Sequence, residues 1–153
     1  MIKQIIAGIL ALFTAIFSWF FAESKEIDWK KETVAVLEAI QAGDIDTIEG
    51  YMCQDIKDNV PELREKIEKF IDAIEGEITG YTYPLSSSSS WIGNRRDVRG
   101  WSEITTTENT YRLGIAWVIE SPSMPKEVGV ESIWLSVKTD SGLKSCNVTI
   151  ETP

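Results

Sequence analysis

The sequence predicts an α+β domain, with N-terminal helices packed on one face of a curved antiparallel sheet. Three observations predict it. Apolar residues recur at helical spacing up to Gly76 and alternate as in strands after it. The strand-like segments follow one another through short turns with no helical stretch between them, the pattern of an antiparallel sheet. The region from residue 26 onward holds roughly 130 residues, enough to bury about two-thirds of its unfolded surface.

The elements follow in order. Trp29, Thr33, Val36, Leu37 and Ile40 make the stripe of a first helix from about Asp28 to Ala42, which Gly43 stops. Asp44 caps a short second helix with Ile45, Ile48 and Met52 on one face. Asn59, with Glu62 three residues on and Pro61 between, reads as the capping box of a third helix. Its apolar stripe is Val60, Leu63, Ile67, Phe70, Ile71 and Ile74, and Gly76 ends it.

Ile78 to Tyr83 is the first strand. The serine run Ser86–Ser90 has little to bury and reads as a loop that continues through Arg95, Arg96 and Asp97. Val98 to Thr107 and Thr110 to Glu120 form a hairpin about Glu108-Asn109. Pro122 and Pro125 make the next segment a loop. Val128 to Thr139 and Leu143 to Ile150 pair through the turn Asp140-Ser141-Gly142.

The N-terminus is of another kind. Lys3 precedes an uncharged stretch from Gln4 to Ala22 that ends in Trp19, Phe20 and Phe21. The eighteen residues from Ile5 span about 27 Å as a helix, just enough for a bilayer core. Residues 1–25 are therefore a signal peptide or a membrane anchor. Phe20 is a poor residue three positions before a cut at Ala22, which favours an uncleaved anchor. The charges flanking the stretch place the chain beyond it outside the cytoplasm. Residues 26–153 are then one exported α+β domain.

Composition narrows the chemistry. The 153 residues include 15 basic, 24 acidic, two cysteines and no histidine, for a net charge of −9. Without histidine there is no Ser-His-Asp triad, no Cys-His pair and no His-ligated metal. Two cysteines cannot make a Cys-rich metal site. The acidic balance argues against nucleic acid as a partner. No cofactor and no metal are expected.

Two stretches carry a family resemblance. LEAIQAGDIDTIEGYM is similar to the opening of the nuclear transport factor 2-like (cystatin-like) cone: a helix, a Gly-Asp break and a short helix. EITTTENTYRLGIAWVIES and VGVESIWLSV resemble an uncharacterised bacterial lipoprotein-type domain family, a domain of unknown function within that superfold. The resemblance covers about residues 29–150. It implies export and a cone of helices on a sheet, with no established activity. The chain departs from the family in lacking a lipobox cysteine, since its first cysteine is Cys53.

The candidate residues follow from strand alternation and from the resemblance. Tyr111, Leu113, Ile115, Trp117 and Ile119 share one face, with Ile133, Leu135 and Val137 as partners on the next strand. Arg112, Gly114 and Ala116 share the other with Ser132, Trp134 and Ser136. Pockets of the superfold lie between sheet and helices, which makes Trp101, Tyr111 and Trp117 pocket candidates. Arg112 is the cation that would receive a carboxylate there. Arg95, Arg96 and Arg99 are the basic cluster of an acidic chain and candidates for an anionic partner. Cys53 and Cys146, if exported, have the redox setting for one disulfide, closing a loop of about 94 residues worth ~4–5 kcal/mol.

The leading expectation is a non-catalytic extracytoplasmic binding domain of the bacterial cell envelope, open at one end to a small ligand or an envelope protein. One alternative is a small-molecule enzyme with a pocket built on Tyr51 and Asp55, after the superfold's ketosteroid isomerases. Another is a structural or regulatory module whose cone is filled. The superfold also implies a homodimer through the outer face of the sheet, which an outward Trp134 suits.

Overall fold

The computed structural model describes residues 27–151. The N-terminal stretch read as signal peptide or anchor lies outside them. Among the described residues no helix is long and apolar enough to cross a membrane.

Among the described residues four helices come first. α1 is Trp29–Ala42, capped by Asp28, whose carboxylate accepts from the Lys31 amide at 3.4 Å. Gly43 takes the left-handed conformation at φ 66°, and its N–H reaches back to the last turn. α2 is Ile45–Tyr51; Asp44 accepts from the Thr47 amide at 3.0 Å and from its hydroxyl at 2.7 Å. These hydrogen bonds to the charged form hold the Asp44 carboxyl below its ordinary value.

α3, Gln54–Asn59, is a helix the sequence did not announce, and α4, Leu63–Asp72, is the expected third helix with a later start. The Asn59–Glu62 capping box does not form. Asn59 closes α3, its amide donating to the Asp55 carbonyl at 3.0 Å. Glu62 sits at φ 54° before α4 with no side-chain cap. α4 is instead tied to α2 by Arg64, which donates to Asp46 at 2.6 Å and Glu49 at 2.8 Å.

Six strands follow: β1 Ile78–Tyr81, β2 Leu85–Ile92, β3 Arg95–Thr106, β4 Thr110–Glu120, β5 Gly129–Thr139 and β6 Gly142–Glu151. All pairings among them are antiparallel. The sheet runs β1-β3-β4-β5-β6, and β2 joins β3 beyond β1 on the same side. The serine run is thus a strand and not a loop. A Gly93-Asn94 turn, with Gly93 at φ 64°, folds it back on β3. Its main-chain bonds to β3 make it a strand although every side chain in it is exposed.

The core lies between the helices and the inner face of the sheet. Tyr111 stands opposite Val137, Leu113 opposite Leu135 and Ile115 opposite Ile133. They pack against Val36, Leu37, Ile40, Ile56, Ile67 and Phe70. Helix layer and sheet are also joined through the main chain. The Cys53 amide donates to the Val130 carbonyl at 3.0 Å, and Met52 bridges Val130 in parallel. Gly129, at φ 133°, makes room: a Cβ there would meet the Tyr51 carbonyl oxygen at 2.9 Å.

Candidate functional site

The nominated pocket residues divide between the two faces of the sheet. Trp117 is buried on the inner face, and its indole N–H donates to the Thr33 hydroxyl at 2.8 Å. Tyr111 is buried on the same face, and its hydroxyl accepts from the Glu75 amide at 2.9 Å. Both are core residues with their polar atoms satisfied.

Trp101 and Arg112 lie on the outer face. The Arg112 guanidinium stacks 4.1 Å above the Trp101 ring and donates to Glu103 at 3.4 Å. Glu103 also pairs with Lys138 at 3.6 Å. Arg112 therefore cannot meet Tyr111 and Trp117 in one cavity, since adjacent residues of a strand point to opposite faces. Trp134 lies on the outer face as its alternation requires. Its ring covers Gly114, where a Cβ would meet it at 2.0 Å.

The arginine cluster is likewise not a bare cationic patch. Arg95 donates to Asp97 at 2.7 Å, lies 3.4 Å from Glu127 and pairs closely with Glu131. Despite its partial burial these carboxylates hold it firmly protonated. Two of the three come from beyond β4, so the sequence cluster conceals a neutralised one. Arg96 lies over the Trp91 ring at 5.6 Å, and Arg99 is exposed.

Cys53 and Cys146 are both free thiols. Cys53 is bonded to the start of β5, whereas Cys146 follows Ser145, the partner of Ser136. About six residues of β5 separate those two points, roughly 20 Å at about 3.3 Å per residue. That is beyond a disulfide's reach.

Among the openings formed by the described residues, one lies at the end of the core that Trp117 reaches. A cleft of about 390 Å³ lies at the end of the core, between the start of α1, the α2–α3 junction and the turn before β5. That volume is within the range of small-molecule sites. Trp117, Met52 and Ile27 supply its apolar surface; Glu32, Tyr51, Gln54, Lys57 and Lys126 supply its polar groups. The Tyr51 ring meets Trp117 edge-on, with centroids 6.0 Å apart. Lys57 donates to the Gly50 carbonyl at 3.2 Å, which fixes its ammonium beside the opening. Burial and a hydrogen bond to the Glu32 carboxylate push the Tyr51 phenol above its ordinary value.

Of the nominated pocket residues, only Trp117 lines this cleft. Tyr51 does so too, but Asp55, its partner in the isomerase comparison, is not among the lining residues. Sequence reasoning passed over Glu32, Gln54, Lys57 and Lys126, and no local signal marks them. They come from three segments that only the closure of helices onto β4 and β5 brings together.

A family model described as Domain of unknown function (DUF5104) matches residues 35–140. The match spans Tyr51, Gln54, Lys57, Trp117 and Lys126, while Ile27 and Glu32 precede it. No curated protein matches the chain.

Proposed function

The chain belongs to the DUF5104 family, a domain of unknown function, and on that premise we propose that it is a non-catalytic extracytoplasmic binding domain of the cell envelope. Residues 1–25 carry it to or hold it at the membrane as a signal peptide or anchor. Its order of helices followed by antiparallel strands, with the helices on one face, supports the nuclear transport factor 2-like (cystatin-like) cone. In that reading it is a lipoprotein-type domain without the lipobox cysteine.

The observation that carries the proposal is the cleft itself. Tyr111 and Trp117 fill the interior, yet the end of the core beside Tyr51 stays open. Its apolar surface and its ring of Glu32, Tyr51, Gln54, Lys57 and Lys126 suit a ligand with an apolar body and a polar end. Lys57 is a fixed cation for that end, and the Tyr51 phenol, hydrogen-bonded to Glu32, holds that carboxylate beside it.

Native mass spectrometry of the full chain, purified gently from its source cells, tests this. A retained extra mass that Tyr51→Ala releases is the expected result. A bare parent chain, or a bound mass indifferent to Tyr51→Ala, overturns the proposal.

A further inference from the structure

Among the described residues neither edge of the sheet is paired, and the two are protected very differently. Open edges invite pairing with another chain, and proteins usually blunt them with charge, proline or short strands. β6, at one edge, carries Lys144 and Glu151. β1, on the other side, is only four residues long. β2 beside it spans eight residues, LSSSSSWI, without a single charge, in a chain of net charge −9, its one irregularity being a register shift between Ser86 and Ser88. All eight are exposed, with Leu85 at 49%, Trp91 at 59% and Ile92 at 65%.

We infer that the free edge of β2 pairs antiparallel with β2 of a second copy across a two-fold axis. The occupant is argued from the strand's own pattern. Leu85, five serines, then Trp91 and Ile92 read as apolar, polar, apolar from either end. An antiparallel pair centred on the serines sets Leu85 of each copy beside the Trp91–Ile92 end of the other. Serines meet serines at the axis. This is the self-complementarity that an isologous interface requires. Charge points the same way: net acidity opposes self-association over most of the surface, and this strip lets two copies approach with no carboxylate opposed to another. The pairing extends the two sheets into one. It leaves the cleft clear, because no β2 residue lines it.

Analytical ultracentrifugation of the full chain, with Ser88→Lys and Trp134→Ala as variants, tests the inference. The parent is expected to be a dimer at roughly 100 µM, where a micromolar interface is saturated. Ser88→Lys sets two like charges near the axis and weakens the dimer at least ~10-fold. Its side chain is solvent-facing, so thermal melting at a concentration dilute enough for the parent to be monomeric stays as in the parent. Trp134→Ala, on the outer face, leaves the dimer intact. Ser88→Cys or Ser89→Cys, whichever faces its own copy, gives a disulfide-linked dimer on mild oxidation, and Ser141→Cys at the β5–β6 turn does not. A monomeric parent overturns the inference and leaves the edge to an extended peptide of another protein. A dimer that survives Ser88→Lys but not Trp134→Ala overturns it in favour of the sheet's outer face. Failure of both serine-to-cysteine variants to cross-link in a dimeric chain also overturns it.

Discussion

Replacing Thr33 by valine keeps the side chain's shape and removes one oxygen. Thr33 is fully buried on α1, and its hydroxyl is the acceptor for the Trp117 indole N–H at 2.8 Å. Valine and threonine differ little in helix propensity, so the backbone contributes little to the change. The variant leaves a donor buried among apolar groups with no acceptor, at a cost of about 1–3 kcal/mol. For a domain of this size that lowers Tm by roughly 4–12 °C. Urea denaturation followed by far-ultraviolet circular dichroism measures it, with an unchanged m-value showing that the folded and unfolded states keep their compactness. A cycle with Trp117→Phe sharpens the test. Once the indole is gone, the missing acceptor no longer matters, so the double variant costs ~1–2 kcal/mol less than the sum of the single ones. A Thr33→Val protein within about 0.5 kcal/mol of its parent, or a strictly additive cycle, would refute the assignment of this bond as the anchor of Trp117.

Three further outcomes are expected. Arg95→Ala leaves Asp97, Glu127 and Glu131 facing one another and destabilises by about 1–3 kcal/mol; the deficit shrinks in ~1 M salt, and a salt-independent deficit would instead indicate lost packing. A difference titration against Tyr51→Phe places the Tyr51 phenol above its ordinary value, and Glu32→Gln lowers it. Its folded value exceeds its unfolded one, so its contribution to stability is whole below the ordinary tyrosine range and is lost as pH rises through the raised value; a phenol at its ordinary value would count against the Glu32 contact. A thiol reagent labels half-buried Cys146 well before Cys53, which is 3% exposed, and equal rates would contradict the placement of Cys53 beneath Val130.

The elements most legible in the sequence were those whose burial is periodic. β4 was read with its observed bounds, Thr110–Glu120, because one of its faces is apolar without interruption. The Gly43–Asp44 break was legible because a left-handed stop and an acidic cap act within a few residues. β2 was missed for the opposite reason. Serine has little strand preference and β2 buries no side chain, so only its main-chain bonds to β3 define it. The Asn59–Glu62 pattern misled because Asn59 satisfies the preceding turn instead. At the site, alternation alone already separates Tyr111 from Arg112. The resemblance supplied Tyr51, but the other polar groups of the cleft are close only in space.

The bond between the Cys53 amide and the Val130 carbonyl also bears on how the chain is made. All four helices are complete by Asp72, yet the strand they are stitched to begins at Gly129. At about 5–20 residues per second of synthesis, the helical segment waits roughly 3–12 s for that strand. During that interval the faces carrying Val36, Leu37, Ile67 and Phe70 lack the core residues of β5 and β6, Val130, Ile133, Leu135 and Ile150. A chain truncated before Gly129 therefore lacks both the last two strands and the main-chain bond that stitches helices to sheet, and is expected to expose apolar helix surface rather than to form a smaller domain.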